Sequence, residues 1–164
     1  MSARQLFQKA KNYKPDLLKS IQKINRIIAN PENSFKLDGS KFKELELSVY
    51  HHQQQQQQQQ QSKIVDKSNL GINQLIKEKL PSLKYHNPNL KFTIHNILIN
   101  EENSNKDIKI DNLLKIHGFE DKDNLNIECS GKSGSKIFDE LIQRTGAVKI
   151  NELELVEIPT HPTK

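Results

Sequence analysis

The loop of residues 130–135, SGKSGS, is the part of this sequence that most resembles a phosphate-binding loop. It follows a predicted strand and precedes a predicted helix, which is the order in which such loops occur. The full motif also needs a glycine five positions before Gly131, and Asn126 stands there instead. The loop is therefore too short to wrap a triphosphate, and we expect it to cap the helix that follows.

The histidines do not form a catalytic or metal-binding pattern. The sequence contains no HExxH, CxxC, GxSxG or EF-hand motif. His51 and His52 are adjacent beside a glutamine tract, and a metal site needs ligands that rigid elements hold in place. His86, His95 and His117 lie at no informative spacing from a nucleophile or a carboxylate. We therefore predict no catalytic residue, no metal site, no cofactor and no small-molecule substrate, and expect that the protein is not an enzyme.

The single cysteine, Cys129, alternates with Leu125 and Ile127 in a predicted strand. This position favours a small core residue over a nucleophile. One cysteine cannot form a disulfide within the chain, which is typical of a reducing compartment. No apolar run approaches the roughly 18 residues of a membrane span.

Two helices are predicted in the first thirty residues. The first covers residues 3–14, and Pro15 suits the first turn of the second. In the second helix, apolar residues recur at helical spacing and form one stripe, with basic residues away from its centre. The stripe consists of Leu17, Ile21, Ile24 and Ile28.

Strand and helix patterns alternate from residue 42 onward. Residues 42–50, FKELELSVY, alternate apolar and polar side chains and predict a half-buried strand. A helical pattern follows over residues 70–80, and strand patterns follow near residues 90–99, 108–116 and 125–129. A last helix is expected from Ser135, as its N-cap, to Gly146, as its C-cap. The predicted order is strand, helix, strand, strand, strand, helix.

A glutamine tract follows the first of these strands, in the sequence HHQQQQQQQQQ at residues 51–61. Such a tract cannot bury apolar surface, so we expect a disordered insertion over residues 51–66. The tail after residue 146 carries Pro159 and Pro162 and is expected to be an extended arm.

Residues 80–97, LPSLKYHNPNLKFTIHNI, join the predicted helix to the next strand. Pro81 either starts a new turn or kinks the helix, and Asn87-Pro88 ends it. Tyr85 has two interpretations: a buried aromatic that closes the helix end, which we favour, or a ring that stacks on a base. The side chains expected to pack the junction are Leu83, Tyr85, Phe92 and Ile94.

Positive charge is concentrated at the N-terminus. The net charge of the chain is +5, while residues 1–30 hold seven basic residues against Asp16 alone, and residues 100–164 are net negative. This asymmetry favours a polyanionic partner for the basic end, although scattered lysines also serve solubility. The first fifteen residues fit a mitochondrial targeting segment and fit an ordinary basic helix equally well.

The junction resembles a pattern found in the thioredoxin-like domain family shared by some mitochondrial ribosomal proteins and a small accessory subunit of respiratory complex I. In that family a helix ends near an Asn-Pro pair and leads into the next strand of the sheet. The element order supports the resemblance over residues 42–145. The residues that carry it, for which the resemblance implies a structural role, are Leu80, Pro81, Leu83, Tyr85, Asn87, Pro88 and Phe92, with Lys91 beside them.

The resemblance implies an α/β, thioredoxin-like three-layer fold with a mixed sheet of about four strands, preceded by a basic helical segment. The expected organisation is an N-terminal extension (1–30), a thioredoxin-like domain (31–146) with the polyglutamine insertion, and a tail (147–164). Redox thioredoxins carry CxxC after a strand, at the start of the next helix. This chain has His51, His52 and glutamines at that connection, so a thioredoxin-type oxidoreductase is the weakest hypothesis.

The function that the resemblance implies is that of a structural constituent of the mitochondrial large ribosomal subunit in the matrix. Its partners would be mitochondrial rRNA and neighbouring ribosomal proteins, and its basic residues would neutralise phosphates without recognising sequence. The alternative is an accessory subunit of complex I or another protein-interaction module, although that relative would be expected to carry further cysteines. The candidate RNA contacts are Arg4, Lys9, Lys11, Lys14, Lys19, Lys23, Arg26, Lys84 and Lys91.

Overall fold

The computed structural model describes residues 15–52, 69–99 and 111–159. The predicted first helix and most of the glutamine tract lie outside these ranges, as does the end of the tail. Four candidate RNA contacts also lie outside them. These are Arg4, Lys9, Lys11 and Lys14.

A mixed four-stranded sheet forms the centre of the described structure, in the order β3-β2-β4-β5. Its strands are β2 (Phe42–His52), β3 (Lys91–Ile99), β4 (Leu113–Gly118) and β5 (Leu125–Glu128). The β2–β3 pair is parallel, and the other two pairs are antiparallel. A short antiparallel pair joins β1 (Phe35–Lys36) to β6 (Val148–Lys149). The predicted α/β class and mixed four-stranded sheet are confirmed.

In the described part of the chain, four α-helices accompany the sheet: α1 (Pro15–Ile28), α2 (Leu70–Gln74), α3 (Leu80–His86) and α4 (Gly134–Thr145). A π-helical turn, Leu75–Lys79, joins α2 to α3, so residues 70–86 form one helical segment. The order of elements from residue 42 is the predicted one.

The core lies between one face of the sheet and the helices. Alternate residues of β2 point to this face, and the register places Leu45 beside Ile116 and Leu47 beside Leu114. These strand residues form one buried cluster with apolar residues of α2, α3 and α4, including Leu83. The period-2 pattern of FKELELSVY therefore builds one half of the core.

The opposite face of the sheet carries polar and charged side chains, such as Glu44, Glu46, Thr93 and Lys115. These side chains are half-buried. Within the described ranges, the helices pack their apolar side chains against the other face of the sheet. The described part of the chain therefore has two layers, where the resemblance implied three.

Pro81 lies at the start of α3, directly after the π-helical turn. A proline inside a helix lacks the N–H donor, and its ring clashes with the carbonyl four residues earlier. A wider π turn before the proline accommodates both defects. Of the two predicted roles of Pro81, the start of a new turn is the observed one.

The N-cap of helix α4 lies two residues earlier than expected. Ser133, and not Ser135, is the N-cap, and its hydroxyl oxygen accepts a hydrogen bond from the Lys136 N–H at 3.3 Å. Gly146 has a φ of +64°, which confirms it as the C-cap. The SGKSGS loop thus caps a helix, as predicted.

The glycine that opens α4 allows a close helix contact. A Cβ atom on Gly134 would lie 2.8 Å from the carbonyl oxygen of Gly71 in α2, and one on Gly71 would lie 1.9 Å from the Lys132 carbonyl oxygen. Helix α2 and the start of α4 therefore lie so close that their backbones are in contact. Close packing therefore accounts for Gly134, and a φ of +72° accounts for Gly131.

The tail is only partly the extended arm that was predicted. Residues 148–149 form β6 against β1, and Glu152–Glu154 form a short 3-10 helix. Backbone pairing with β1 therefore ties the start of the tail to the domain. No helix among the described residues is long and apolar enough to cross a membrane.

Candidate nucleic-acid interface

Helix α1 presents three basic side chains at helical spacing. Lys19, Lys23 and Arg26 occupy positions i, i+4 and i+7, which lie on one side of an α-helix, and all three are exposed. We call these three residues the basic row. Cations spaced along a helix in this way can meet successive phosphates of one nucleic-acid backbone.

The basic row lies on a helix that is fastened to the rest of the chain. Ile28 at its end is buried, and α1 packs against α3. On the other side, Asn25 Nδ2 donates to the Ile158 carbonyl at 2.9 Å, and the Ile158 N–H donates to Asn25 Oδ1 at 2.9 Å. The tail thus pairs with the Asn25 amide as it would with a neighbouring strand, and this holds α1 in place.

The predicted apolar stripe of α1 is only partly covered by the described residues. Ile28 is buried and Ile21 is half-buried, whereas Leu17 and Ile24 remain exposed. The described residues therefore cover Ile28 fully and Ile21 in part.

An open groove of about 570 Å³ lies beside Arg26, between α1 and the tail. Its lining is mainly polar and includes Gln22, Asn30 and Glu157. Amide side chains next to a guanidinium can donate to phosphate or ribose oxygens, while Glu157 would repel a phosphate. The groove thus extends the polar surface around Arg26.

Two further candidate contacts, Lys84 and Lys91, already have partners within the chain. Lys84 Nζ donates to the carbonyls of Leu90, at 2.6 Å, and Pro88, at 3.1 Å. It also lies 5.3 Å from the centre of the Phe92 ring. Lys91 Nζ lies 2.9 Å from a carboxylate oxygen of Glu44. Phosphate contact by these lysines stays a prediction, and it would compete with the observed bonds.

Tyr85 and Ile94 differ from the expected packing of the junction. Tyr85 is 51% exposed, and its ring meets the His86 ring edge-on at 4.9 Å, so the buried-aromatic interpretation is wrong. Ile94 is 42% exposed because β3 is the outermost described strand of the sheet. The structure leaves the Tyr85 ring accessible for stacking.

The other junction residues take the structural places that were predicted. Leu80 and Leu83 are buried in the core, and Phe92 packs against it. Pro88 is exposed in the turn.

Asn87 does more than end the helix. Its side-chain oxygen accepts from the Leu37 N–H at 2.8 Å, and its Nδ2 donates to the carbonyls of Phe35, at 2.8 Å, and Leu83, at 2.7 Å. One buried amide therefore binds the end of α3 to β1. The sequence showed the Asn-Pro pair but not its partners about fifty positions earlier.

The polar face of the sheet carries a charged cluster around Glu46. The Glu46 carboxylate lies 2.8 Å from His117, 3.7 Å from Lys115 and 3.9 Å from His95. The hydrogen bond from His117, with the nearby positive charges, holds the pKa of Glu46 below its usual value. Such a carboxylate stays ionised and is a poor general base. The sequence showed no carboxylate at an informative spacing from these histidines, because Glu46 lies 71 positions before His117.

Two buried asparagines meet at the end of β2. Asn112 Nδ2 donates to Asn69 Oδ1 at 2.6 Å. Asn69 lies at the N-cap position of α2, but its side chain makes no capping bond. The described residues contain no group of three or more metal-ligating side chains.

Cys129 is a core residue, as predicted. Its side chain is buried in the apolar cluster, and burial raises the pKa of its thiol to about 11. Since the thiolate is the nucleophile, this thiol is unreactive at neutral pH.

No protein-family model matches the chain, and no curated protein matches it significantly.

Proposed function

We propose that this protein is a structural constituent of the mitochondrial large ribosomal subunit, located in the matrix. In this role α1 contacts rRNA, and the α/β domain contacts neighbouring ribosomal proteins. The junction also resembles that of the fungal mitochondrial large-subunit ribosomal protein 49.

The observation that carries this proposal is the basic row on a fastened helix. Lys19, Lys23 and Arg26 are exposed on one side of α1, and the residues between them include no acid. A rigid helix loses little conformational entropy when its cations meet phosphates, which favours binding. By contrast, Lys84 and Lys91 are engaged with other groups of the chain.

The fold supports a thioredoxin-like origin of the domain. The strand–helix–strand unit is parallel, the next two pairs are antiparallel, and a helix follows. The Asn-Pro junction anchors the crossover to β1 through Asn87. Asn69, Asn112 and the buried Cys129 offer no redox pair, which favours a structural role over a thioredoxin-type activity.

The alternative function, as an accessory subunit of complex I or another protein-interaction module, is supported by the acidic C-terminal part of the chain. This part includes exposed apolar side chains of the tail, Leu153 and Val156. Such a module would bind proteins and need no affinity for RNA.

The experiment that separates the two is the affinity of the purified full chain for mitochondrial large-subunit rRNA, measured against salt concentration. Replacing the basic row by alanine should weaken binding and reduce the slope of log K against log salt by about 2–3, since each lost phosphate contact contributes about 0.7–0.9. Binding should weaken without a change in sequence preference.

A matched control replaces three exposed lysines elsewhere, Lys36, Lys136 and Lys149, by alanine. This variant has the same net charge and should keep most of the slope. Undetectable rRNA binding by the unmodified chain at low salt, together with stable capture of complex I, would favour the alternative function.

A further inference from the structure

The outer edge of β3 has the properties of a strand that receives another strand. β3 spans nine residues, Lys91–Ile99, and among the described strands it pairs only with β2. The backbone groups on its other side therefore have no partner strand within the described ranges. Such an edge is a template for pairing with a further chain.

Exposed apolar side chains line this edge. Ile97 is 37% exposed and Leu98 is 68% exposed, in addition to Ile94. The register with β2 puts Ile94 and Leu98 on the helix side of the sheet and Ile97 on the polar side. A strand added beside β3 would therefore cover apolar groups on both of its faces.

The usual devices that protect an edge strand are missing from most of β3. Proteins block exposed edges with short strands, prolines, bulges or lysines. β3 is long, contains no proline, and has its single lysine, Lys91, at the first position, paired with Glu44. The pairing with β2 runs through nine consecutive partners without a bulge.

The size of this surface indicates which occupant it fits. A stable protein dimer needs about 20–30 residues on each side, far more than one nine-residue strand supplies. An extended peptide needs less, because main-chain hydrogen bonds supply the affinity and alternate side chains supply the specificity. The edge therefore fits an extended arm better than a second copy of this chain.

We propose that the β3 edge binds an extended segment of another protein by strand addition. The segment carries uncharged apolar side chains at alternate positions, which lie beside Ile94 and Leu98, and its N–H groups donate to the outward-facing carbonyls of β3. This inference goes beyond the proposed function and does not depend on rRNA binding.

The test uses the full-length chain and two synthetic ten-residue peptides. One peptide alternates valine and threonine, and the other is a run of ten prolines, which has no peptide N–H to donate to a ladder. Amide hydrogen exchange should slow in β3 when the valine–threonine peptide is added, and the proline peptide should have no effect. Exchange elsewhere in the chain should not change.

Positive charge placed on the outer edge of β3 should weaken binding of the valine–threonine peptide. Ile97→Lys with Leu98→Lys should lower the peptide affinity at least tenfold, and Leu98→Lys alone serves if the double variant does not fold. Leu153→Lys, at a tail residue that is 92% exposed, is the matched control and should bind like the original chain.

Three results would overturn the proposal. The first is no protection of β3 by the valine–threonine peptide, and the second is equal binding of the proline peptide. The third is a chain that is dimeric on its own with the β3 amides already protected, because a second copy would then be the occupant.

Discussion

The side chains of Asn69 and Asn112 hydrogen-bond to each other and together hold both backbone groups of Tyr50. Asn112 Oδ1 accepts from the Tyr50 N–H at 2.8 Å, and Asn69 Nδ2 donates to the Tyr50 carbonyl at 2.8 Å. Both asparagines are buried. The pair therefore connects the end of β2 to the start of α2, through Asn69, and to the segment before β4, through Asn112.

We expect the two asparagines to be energetically coupled. Asn112→Ala leaves the Tyr50 N–H and the Asn69 oxygen without a partner, which should lower the free energy of unfolding by about 1–3 kcal/mol. In a double-mutant cycle with Asn69→Ala, the coupling should be about 1 kcal/mol, measured by urea unfolding. Asn126→Ala, at an exposed position, is the control. If the two substitutions lower the free energy of unfolding additively, the expected coupling between the asparagines is contradicted.

Asn87→Ala should be among the more destabilising substitutions in the chain. It removes the partners of the Leu37 N–H and of the Phe35 and Leu83 carbonyls, so unfolding free energy should fall by about 2–4 kcal/mol. Asn89→Ala, two positions away and exposed, should change it by less than about 0.5 kcal/mol. Similar losses for both variants, measured by urea denaturation, would show that Asn87 only shapes the turn.

Glu46 should stabilise the fold in a pH-dependent way. Its pKa is lowered in the folded chain from the usual 4.5, chiefly by the hydrogen bond from His117, so the unfolded chain takes up the proton more readily. The stabilisation is therefore present above pH 4.5 and is lost as the pH falls through the lowered pKa. The half-buried pair should contribute about 0.5–1 kcal/mol.

The measurement for this prediction is the difference in unfolding free energy between the original chain and Glu46→Gln across the acid range. The difference should be largest near neutral pH and should shrink below pH 4.5. A difference that stays constant with pH would mean that the carboxylate charge is not what stabilises the cluster.

Cys129 should resist alkylation in the folded protein. With a thiol pKa of about 11, only about 0.1% of the thiol is ionised at pH 8, and the side chain is buried as well. Iodoacetamide should modify it only after denaturant is added, as followed by intact mass. Rapid modification of the native chain would contradict a core position. Cys129→Ser should leave a disulfide-reductase assay unchanged, since we expect no activity in either chain.

The order of elements could be predicted because its signals are local. The alternation in FKELELSVY and the helical spacing over residues 70–80 report directly which face of each element is buried. The C-cap at Gly146 could also be predicted, because a glycine at the end of an apolar helical pattern has few other roles.

The hydrogen-bonded asparagines could not be predicted in the same way. Asn87 meets Leu37 from 50 positions away, and Asn112 meets Tyr50 from 62 positions away, so no local pattern marks these contacts. Tyr85 and Ile94 show the same limit, because an apolar side chain is buried only where a neighbouring element covers it. The basic row could be predicted from the charge and spacing of its residues. The bonds of Lys84 and Lys91 could not, because their partners come close only when the junction is folded.

The most direct test of the account is the sedimentation of the tagged full chain in a sucrose gradient of mitochondrial lysate. We predict that it runs with the large ribosomal subunit, and that alanine replacements of Lys19, Lys23 and Arg26 shift it toward the top of the gradient at raised salt. The exposed-lysine control variant should stay with the subunit. Sedimentation with complex I, with the small subunit alone or as free protein would contradict the proposed function.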